Sequence, residues 1–97
     1  MVDITEKDGE LVCAFKGQLD SVLCSSVETE LMEKVSSTDL PVVFNMADVE
    51  FVSSSFLRLV IQTAKKVGRD NLSLIDLSEK VRDVFVICGL DEQLNLS

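Results

Sequence analysis

The stretch of sequence that decides the fold is Val49-Glu50-Phe51-Val52-Ser53-Ser54-Ser55-Phe56-Leu57-Arg58-Leu59-Val60. Its first residues are typical of the end of a buried strand, and the serines that follow predict a turn into an amphipathic helix. Serine hydroxyls at such a junction can cap the unpaired N–H groups of the first helical turn. The helix dipole also favours an anion there, so a phosphorylated serine would be stabilised and would change the surface by roughly two charges. The segment is therefore either a structural cap or a switch.

The residues before this stretch predict a hairpin followed by a helix. Val2 and Ile4 alternate with polar residues, Asp8-Gly9 is a strong turn signal, and an apolar run follows, so residues 2–16 are predicted to form a β-hairpin. Residues 17–20 are predicted to lead out of the sheet. Apolar side chains then recur every four residues on a helical face, at Leu23, Val27, Leu31 and Val35. This helix begins either near Ser21 or at a capping box of Ser25 and Glu28.

The second half alternates strands with helices. Residues 42–44 read as a buried central strand, residues 45–50 are predicted to leave the sheet, and Phe51-Val52 return to it. Helical periodicity then extends to Gly68, and residues 72–77 are predicted to form another central strand. The remaining expectations are a helix from the Ser78 cap to Gly89, with a face of Val81, Val84, Phe85 and Cys88, and a short edge strand at Leu94 and Leu96.

This order of elements, β-β-α-β-α-β-α with a possible final strand, predicts an α/β fold. The opening hairpin should be antiparallel, whereas each strand-helix-strand unit should be parallel and right-handed. We therefore expect a mixed central β-sheet covered by helices, formed by a single domain over residues 1–97.

The charge balance argues against some classes of partner. Seventeen acidic and nine basic residues give a formal charge of −8, which does not suit nucleic acid or an anionic membrane surface. No apolar run approaches the length of a membrane span, and no signal peptide opens the chain, so we expect either a cytoplasmic protein or a domain cut from a larger one. Six basic residues lie in the second half, where they form either solvated helix faces or a local partner patch: Arg58, Lys65, Lys66, Arg69, Lys80 and Arg82.

The sequence lacks the residue combinations that are typical of metal sites and of histidine-based active sites. The chain has no histidine, and Cys13, Cys24 and Cys88 show no C-x-x-C spacing, so neither a zinc site nor a histidine-based catalytic set is predicted. All three thiols lie in apolar patterns and are expected to be buried and inert. We expect no enzyme activity, no metal and no cofactor.

Three further stretches, in this order, resemble the STAS family over nearly the whole chain, from about residue 2 to residue 96. They are Gly17-Gln18-Leu19-Asp20, Val42-Val43-Phe44-Asn45-Met46-Ala47-Asp48-Val49, and Val81-Arg82-Asp83-Val84-Phe85 with Cys88-Gly89-Leu90. This family includes the bacterial anti-sigma factor antagonists and the STAS subunits or tails of transport systems.

The resemblance implies a phosphorylation site. The antagonists carry Asp-Ser-Ser/Thr-Gly-Leu at the start of their second helix, and its first serine is phosphorylated by the partner anti-sigma factor, a serine kinase. In this chain the motif falls on Ser53-Ser54-Ser55-Phe56-Leu57. Ser54 matches the phosphoacceptor, while Ser53 stands in place of the aspartate and Phe56 in place of the glycine. Phe56 is either a core residue or a bulky group where a partner's backbone would approach.

The family's function suggests a regulatory role for the chain. We expect an anti-sigma factor antagonist that binds its kinase through residues near the second helix start: Asp20, Ser53, Ser54, Ser55 and Arg58. The alternative is a constitutive STAS subunit of a lipid-transport ABC system or of a signalling scaffold, which needs no phosphorylation.

Overall fold

The computed structural model describes residues 2–96 as five strands and three α-helices. The strands are β1 (Val2–Lys7), β2 (Glu10–Leu19), β3 (Val42–Val52), β4 (Leu72–Ile75) and β5 (Asn95–Leu96). The helices are α1 (Ser21–Ser36), α2 (Ser54–Val67) and α3 (Glu79–Ile87), with a 3-10 turn at Arg69–Asn71 between α2 and β4. This confirms the predicted order, including the short final strand.

The sheet is mixed, as predicted, and its strands follow one another in chain order from β1 to β5. β1 pairs antiparallel with β2, while the β2–β3, β3–β4 and β4–β5 pairs are parallel. Every helical connection steps in the same direction across the sheet. Because such crossovers are right-handed, all three helices cover the same face. A single apolar core between that face and the helices holds buried side chains from α1, α2 and α3.

Alternation along the strands sets which side chains enter this core. Cys13 and Phe15 on β2 lie beside Phe44 on β3, and Leu74 on β4 continues the row. Phe44 and Leu74 are completely buried, and burying one such side chain is worth roughly 1.5–3 kcal/mol. The intervening side chains, such as Val12 and Ser73, lie on the opposite face and are half-buried.

The opening hairpin forms as predicted, but its second strand is longer than expected. Asp8 and Gly9 both have positive φ angles, of 53° and 79°, which is the geometry of a tight two-residue hairpin turn and explains the Asp-Gly pair. Residues 17–20 were expected to leave the sheet, but β2 continues to Leu19 because its second half pairs with β3. This pairing keeps Gly17 and Leu19 in the sheet.

The expectation that residues 45–50 leave the sheet is wrong, because β3 runs unbroken from Val42 to Val52. Two register shifts against β2 let it do so: Ala14 pairs with Asn45 but Lys16 pairs with Asp48, and a second shift follows Gly17. Each shift adds one residue to β3, as in a β-bulge. The extra residues are exposed and polar or small, which is why the segment resembled a loop.

The structure decides the start of α1, which the sequence left open, and it shows that three other expectations are wrong. α1 begins at Ser21 with Asp20 as its N-cap, so the Ser25–Glu28 capping box does not form. β4 stops at Ile75 rather than residue 77, because Asp76 adopts a positive φ of 58° that ends an extended strand. Phe51 is exposed rather than buried, because a register shift in β3 precedes it. Cys88 is also exposed rather than buried, because α3 ends at Ile87 and its buried face does not continue to residue 88.

Candidate functional site

The parallel strands β2 and β3 end side by side, and a helix starts directly after each. Leu19, the last residue of β2, pairs with Val52, the last residue of β3. Asp20 and Ser53 follow these residues and are the N-caps of α1 and α2. The pairing therefore brings two helix starts together at one edge of the sheet, although the two caps are 33 positions apart in sequence.

Asp20 caps α1 through its carboxylate. One carboxylate oxygen accepts a 2.9 Å hydrogen bond from the Leu23 backbone N–H, and the Asp20 carbonyl accepts one from the Cys24 N–H at 3.0 Å. These bonds satisfy two amides of the first turn, and the carboxylate charge complements the helix dipole. Asp20 is exposed, so the same carboxylate can be reached from solvent.

Ser53 caps α2 and ties it to the end of β2. Its hydroxyl oxygen lies 3.4 Å from the Phe56 backbone nitrogen, which donates to it, and its own O–H donates to the Leu19 carbonyl at 2.7 Å. The Ser53 backbone N–H donates to the same carbonyl at 3.1 Å, and the Cys24 thiol approaches it at 3.8 Å. The Ser53 hydroxyl is therefore committed to holding the two helix starts together.

The next two serines differ in exposure. Ser54 is the first residue of α2 and is exposed, whereas Ser55 is half-buried beside α1. Ser55 lines a cleft of about 150 Å³ between the two helices, together with Glu28 of α1 and Arg58 of α2. Arg58 is exposed and lies four residues after Ser54, on the same side of the helix.

The structure thus brings the five predicted site residues to one edge of the domain. We call this group the helix-start surface, defined as Asp20, Ser53, Ser54, Ser55 and Arg58. Asp20 and Ser53 are the N-caps of α1 and α2, and Ser54, Ser55 and Arg58 belong to the first two turns of α2.

Phe56 is part of the core and does not belong to this surface. Its side chain is completely buried, and its ring packs edge-on against Phe15 with centroids 5.1 Å apart. The Phe44 ring lies 4.9 Å from Phe15 and 6.3 Å from Phe56, completing an aromatic cluster. The large side chain at the position of the family glycine therefore points inward, and the surface around Ser54 stays open.

Two exposed apolar side chains beside the helix-start surface were missed at the sequence level. Val22, the second residue of α1, is 78% exposed, and Phe51, near the end of β3, is 47% exposed. Single exposed apolar side chains are common on any protein surface, whereas apolar patches rimmed by polar residues mark interfaces. Val22 could have been noticed, because it lies outside the four-residue apolar repeat of α1. Phe51 could not, because the register shift that exposes it depends on pairing with β2.

Charge at this edge is shaped by the two helix dipoles. The Asp20 carboxylate offsets the positive end of the α1 dipole, whereas the cap of α2 is the neutral Ser53 and the first turn of α2 has no acidic residue. Burial raises the pKa of the Cys24 thiol beneath the surface, and the nearby Asp20 carboxylate raises it too, while the hydrogen bond with Ser53 acts in the other direction. The thiol is consequently protonated at neutral pH, as its contact with the Leu19 carbonyl requires.

Residues 2–96 contain no cluster of three or more histidine, cysteine, aspartate or glutamate side chains that could hold a metal ion. None of the helices in that range has the length and hydrophobicity needed to cross a bilayer.

The sequence model of the STAS domain matches residues 1–97. Among curated proteins, BtrV of Bordetella bronchiseptica, a proposed anti-sigma factor antagonist, is 32% identical over 84 residues, which are 84% of this chain and 72% of BtrV. The anti-sigma-F factor antagonist RsfB of Mycobacterium tuberculosis is 23% identical over 96 residues, which are 98% of this chain and 79% of RsfB.

Solved structures share the whole fold. An anti-sigma factor antagonist from Mycobacterium paratuberculosis superposes with a TM-score of 0.88 at 23% identity, over 99% of this chain and 83% of that one. The unphosphorylated form of the anti-sigma factor antagonist SpoIIAA gives 0.82 at 18% identity, over 100% of this chain and 88% of that one. The phosphorylated form of SpoIIAA, from Bacillus, superposes with a TM-score of 0.73 at 17% identity, over 100% of this chain and 91% of that one.

Proposed function

The chain belongs to the STAS domain family and resembles its anti-sigma factor antagonists, and we propose that it binds an anti-sigma factor kinase through the helix-start surface. In this proposal the unphosphorylated chain holds its partner, and phosphorylation of Ser54 by that partner releases it. The partner is a protein, and the proposal includes no metal, cofactor or nucleic acid. We also propose that the chain acts as a regulator rather than an enzyme, and that it works in the cytoplasm.

The observation that carries the proposal is the different environment of three consecutive serines. The Ser53 hydroxyl is held between the Leu19 carbonyl and the Phe56 N–H, and Ser55 is half-buried in the cleft beside α1. Ser54 is exposed at the first position of α2. A kinase can therefore reach the Ser54 hydroxyl without breaking the cap, and Ser54 is also the residue that matches the family's phosphoacceptor.

A phosphate on Ser54 would be compatible with the fold. The first amides of α2 and its dipole favour an anion, and the first turn of α2 contains no acidic residue that would repel it. Arg58 lies one turn further along and can approach a phosphate on Ser54. The same phosphate inside an interface would have to lose its hydration and would repel acidic groups of the partner, so binding would weaken.

The departures from the family motif affect the surface less than the sequence suggests. Serine at position 53 is a good N-cap, so the start of α2 keeps its shape without the aspartate. Phe56 is buried, and therefore the substitution of the glycine adds nothing to the surface. The loss of one carboxylate remains, and we expect it to narrow the set of partners that bind.

The relatives support the same chemistry. SpoIIAA is known in an unphosphorylated and a phosphorylated form, and this chain shares its fold. The second candidate function is a constitutive STAS subunit of a lipid-transport system or signalling scaffold. The replacement of the family aspartate by Ser53 favours it, because such a subunit needs no kinase recognition.

Two experiments test the proposal. First, the chain is used as bait in its native cell, and captured proteins are identified by mass spectrometry. We expect an anti-sigma factor kinase among them, and capture of ABC-transporter subunits instead would contradict the proposed function.

Second, the purified kinase and ATP are incubated with the wild type, Ser54→Ala and the control Ser55→Ala. Phosphate should appear on the wild type and Ser55→Ala but not on Ser54→Ala. Phosphate on Ser54→Ala, or none on the wild type, would overturn the assignment of Ser54.

A further inference from the structure

An open groove lies along the second half of α2, away from the helix-start surface. It has a volume of about 420 Å³ and runs between α2 and the Leu90–Leu94 segment that leads into β5. Its apolar walls are Ile61 and Ala64 on one side and Leu90 and Leu94 on the other. Pockets for small molecules have volumes of roughly 300–1,000 Å³, so this groove is suited to a small ligand rather than to a protein helix.

Hydrogen bonds hold the walls of this groove in place. The Asn95 side-chain amide donates to the carbonyls of Arg69 and Leu72, both at 3.3 Å, and so ties the segment after Leu94 to the end of α2 and to β4. The Leu94 N–H donates to the Leu90 carbonyl at 3.1 Å, and the Leu90 N–H donates to the Phe85 carbonyl at 2.9 Å. These bonds hold the two walls of the groove in a fixed position relative to each other.

Two cations border the groove. Lys65 and Arg69 line it together with the apolar residues, and both are exposed. They lie four residues apart, Lys65 in the last turn of α2 and Arg69 just after the helix. The positive charge is therefore concentrated where the groove meets the C-terminal end of α2. In a chain with a formal charge of −8, this pairing of apolar walls with two cations favours an amphipathic anion.

We propose that this groove binds a free medium-chain fatty carboxylate. The acyl chain lies along the apolar walls, and the carboxylate pairs with Lys65 and Arg69. The walls contain aliphatic side chains and no aromatic ring, so a nucleotide base has nothing there on which to stack. This inference is independent of the proposed function, because none of the groove residues belongs to the helix-start surface.

The test uses decanoate as the probe, below its micelle-forming concentration, and the full chain. Binding is measured by isothermal titration calorimetry for the wild type, Lys65→Glu and Arg69→Glu. The matched control is Lys66→Glu, which makes the same charge change at the neighbouring exposed lysine, outside the groove. Each groove variant should weaken decanoate binding at least tenfold, and the control by less than twofold. An equal loss in the control, or no saturable binding to the wild type, would overturn the proposal.

A second measurement separates the apolar walls from the cations. The uncharged 1-decanol should bind Lys65→Glu as well as it binds the wild type, because it has no carboxylate to pair. Ile61→Asp should weaken decanoate and 1-decanol alike, and circular dichroism checks that this variant is folded. In amide NMR spectra decanoate should shift the signals of residues 61–65 and 90–94. Shifts confined to other residues, or a Lys65→Glu variant that binds decanoate normally, would overturn the assignment of the groove.

Discussion

The Ser53 hydroxyl donates a 2.7 Å hydrogen bond to the Leu19 carbonyl, across 34 residues of sequence. This bond joins the cap of α2 to the last residue of β2, directly before the Asp20 cap of α1. The two helix starts therefore keep a fixed position relative to each other. A partner that binds both would meet a rigid surface, with Ser54 exposed on it.

Removing the Ser53 hydroxyl should destabilise the domain. Ser53→Ala loses the cap to Phe56 and the bond to Leu19, so the free energy of unfolding should fall by about 1–2 kcal/mol. The matched control is Ser54→Ala, which alters an exposed hydroxyl and should stay within about 0.5 kcal/mol of the wild type. Urea unfolding measures both. Equal stabilities for the two variants would mean that Ser53 does not hold the helix starts together.

Phe56 should behave as a core residue and not as a contact residue. Phe56→Ala should cost about 3–5 kcal/mol, because it leaves a cavity beside Phe15 and Phe44. Phe51→Ala, at an exposed aromatic position, should cost roughly 1 kcal/mol or less. Thermal or urea unfolding compares the two. A Phe56→Ala variant as stable as Phe51→Ala would contradict the aromatic cluster.

Much of this architecture could be predicted from local patterns. The hairpin turn at Asp8-Gly9, the apolar stripe of α1 and the Ser78 cap of α3 depend on residues close in sequence, and all were confirmed. The placement of the three serines at the start of α2 was also confirmed, because a strand pattern changes to a helical one there.

The parts that could not be predicted depend on long-range pairing. β3 stays in the sheet through Ala47 and Glu50 only because β2 accommodates two register shifts. The start of α1 is decided by Asp20, which follows the strand that pairs with Val52, and the local sequence left a choice between two starts. The Ser53 hydroxyl bonds to Leu19, which is distant in sequence, so the sequence alone could not show which serine forms the cap.

The exposed apolar residues beside the surface should contribute to partner binding. Val22→Ser and Phe51→Ser should each weaken binding of the anti-sigma factor kinase at least tenfold, because apolar anchors supply much of the affinity of an interface. The control is Ile87→Ser, which removes an apolar side chain that is 83% exposed on α3. It should leave affinity unchanged. Surface plasmon resonance measures the dissociation constant of the wild type and of each variant. A loss of affinity seen only in Ile87→Ser would place the partner on α3.

Stability should decrease at high pH because of a buried thiol. Burial raises the pKa of Cys13 from 9.0 to about 12, so the unfolded chain loses this proton before the folded one does. The stability due to the neutral thiol is complete below about pH 9 and is lost as the pH rises toward 12. Urea unfolding measures the free energy of unfolding at about pH 8 and at about pH 10.5. Between these pH values it should decrease less for Cys13→Ala than for the wild type. Cys88→Ala, which removes the exposed thiol, is the control and should decrease like the wild type.

The central claim is that phosphorylation of Ser54 controls partner binding, and partner affinity tests it most directly. Calorimetric titration of the anti-sigma factor kinase is compared for the wild type, Ser54→Ala and Ser54→Asp, after circular dichroism has shown that all three are folded. The wild type and Ser54→Ala should bind equally, and Ser54→Asp at least tenfold more weakly, a difference of about 1.4 kcal/mol. Equal affinity for all three proteins would contradict the switch and would favour a constitutive subunit.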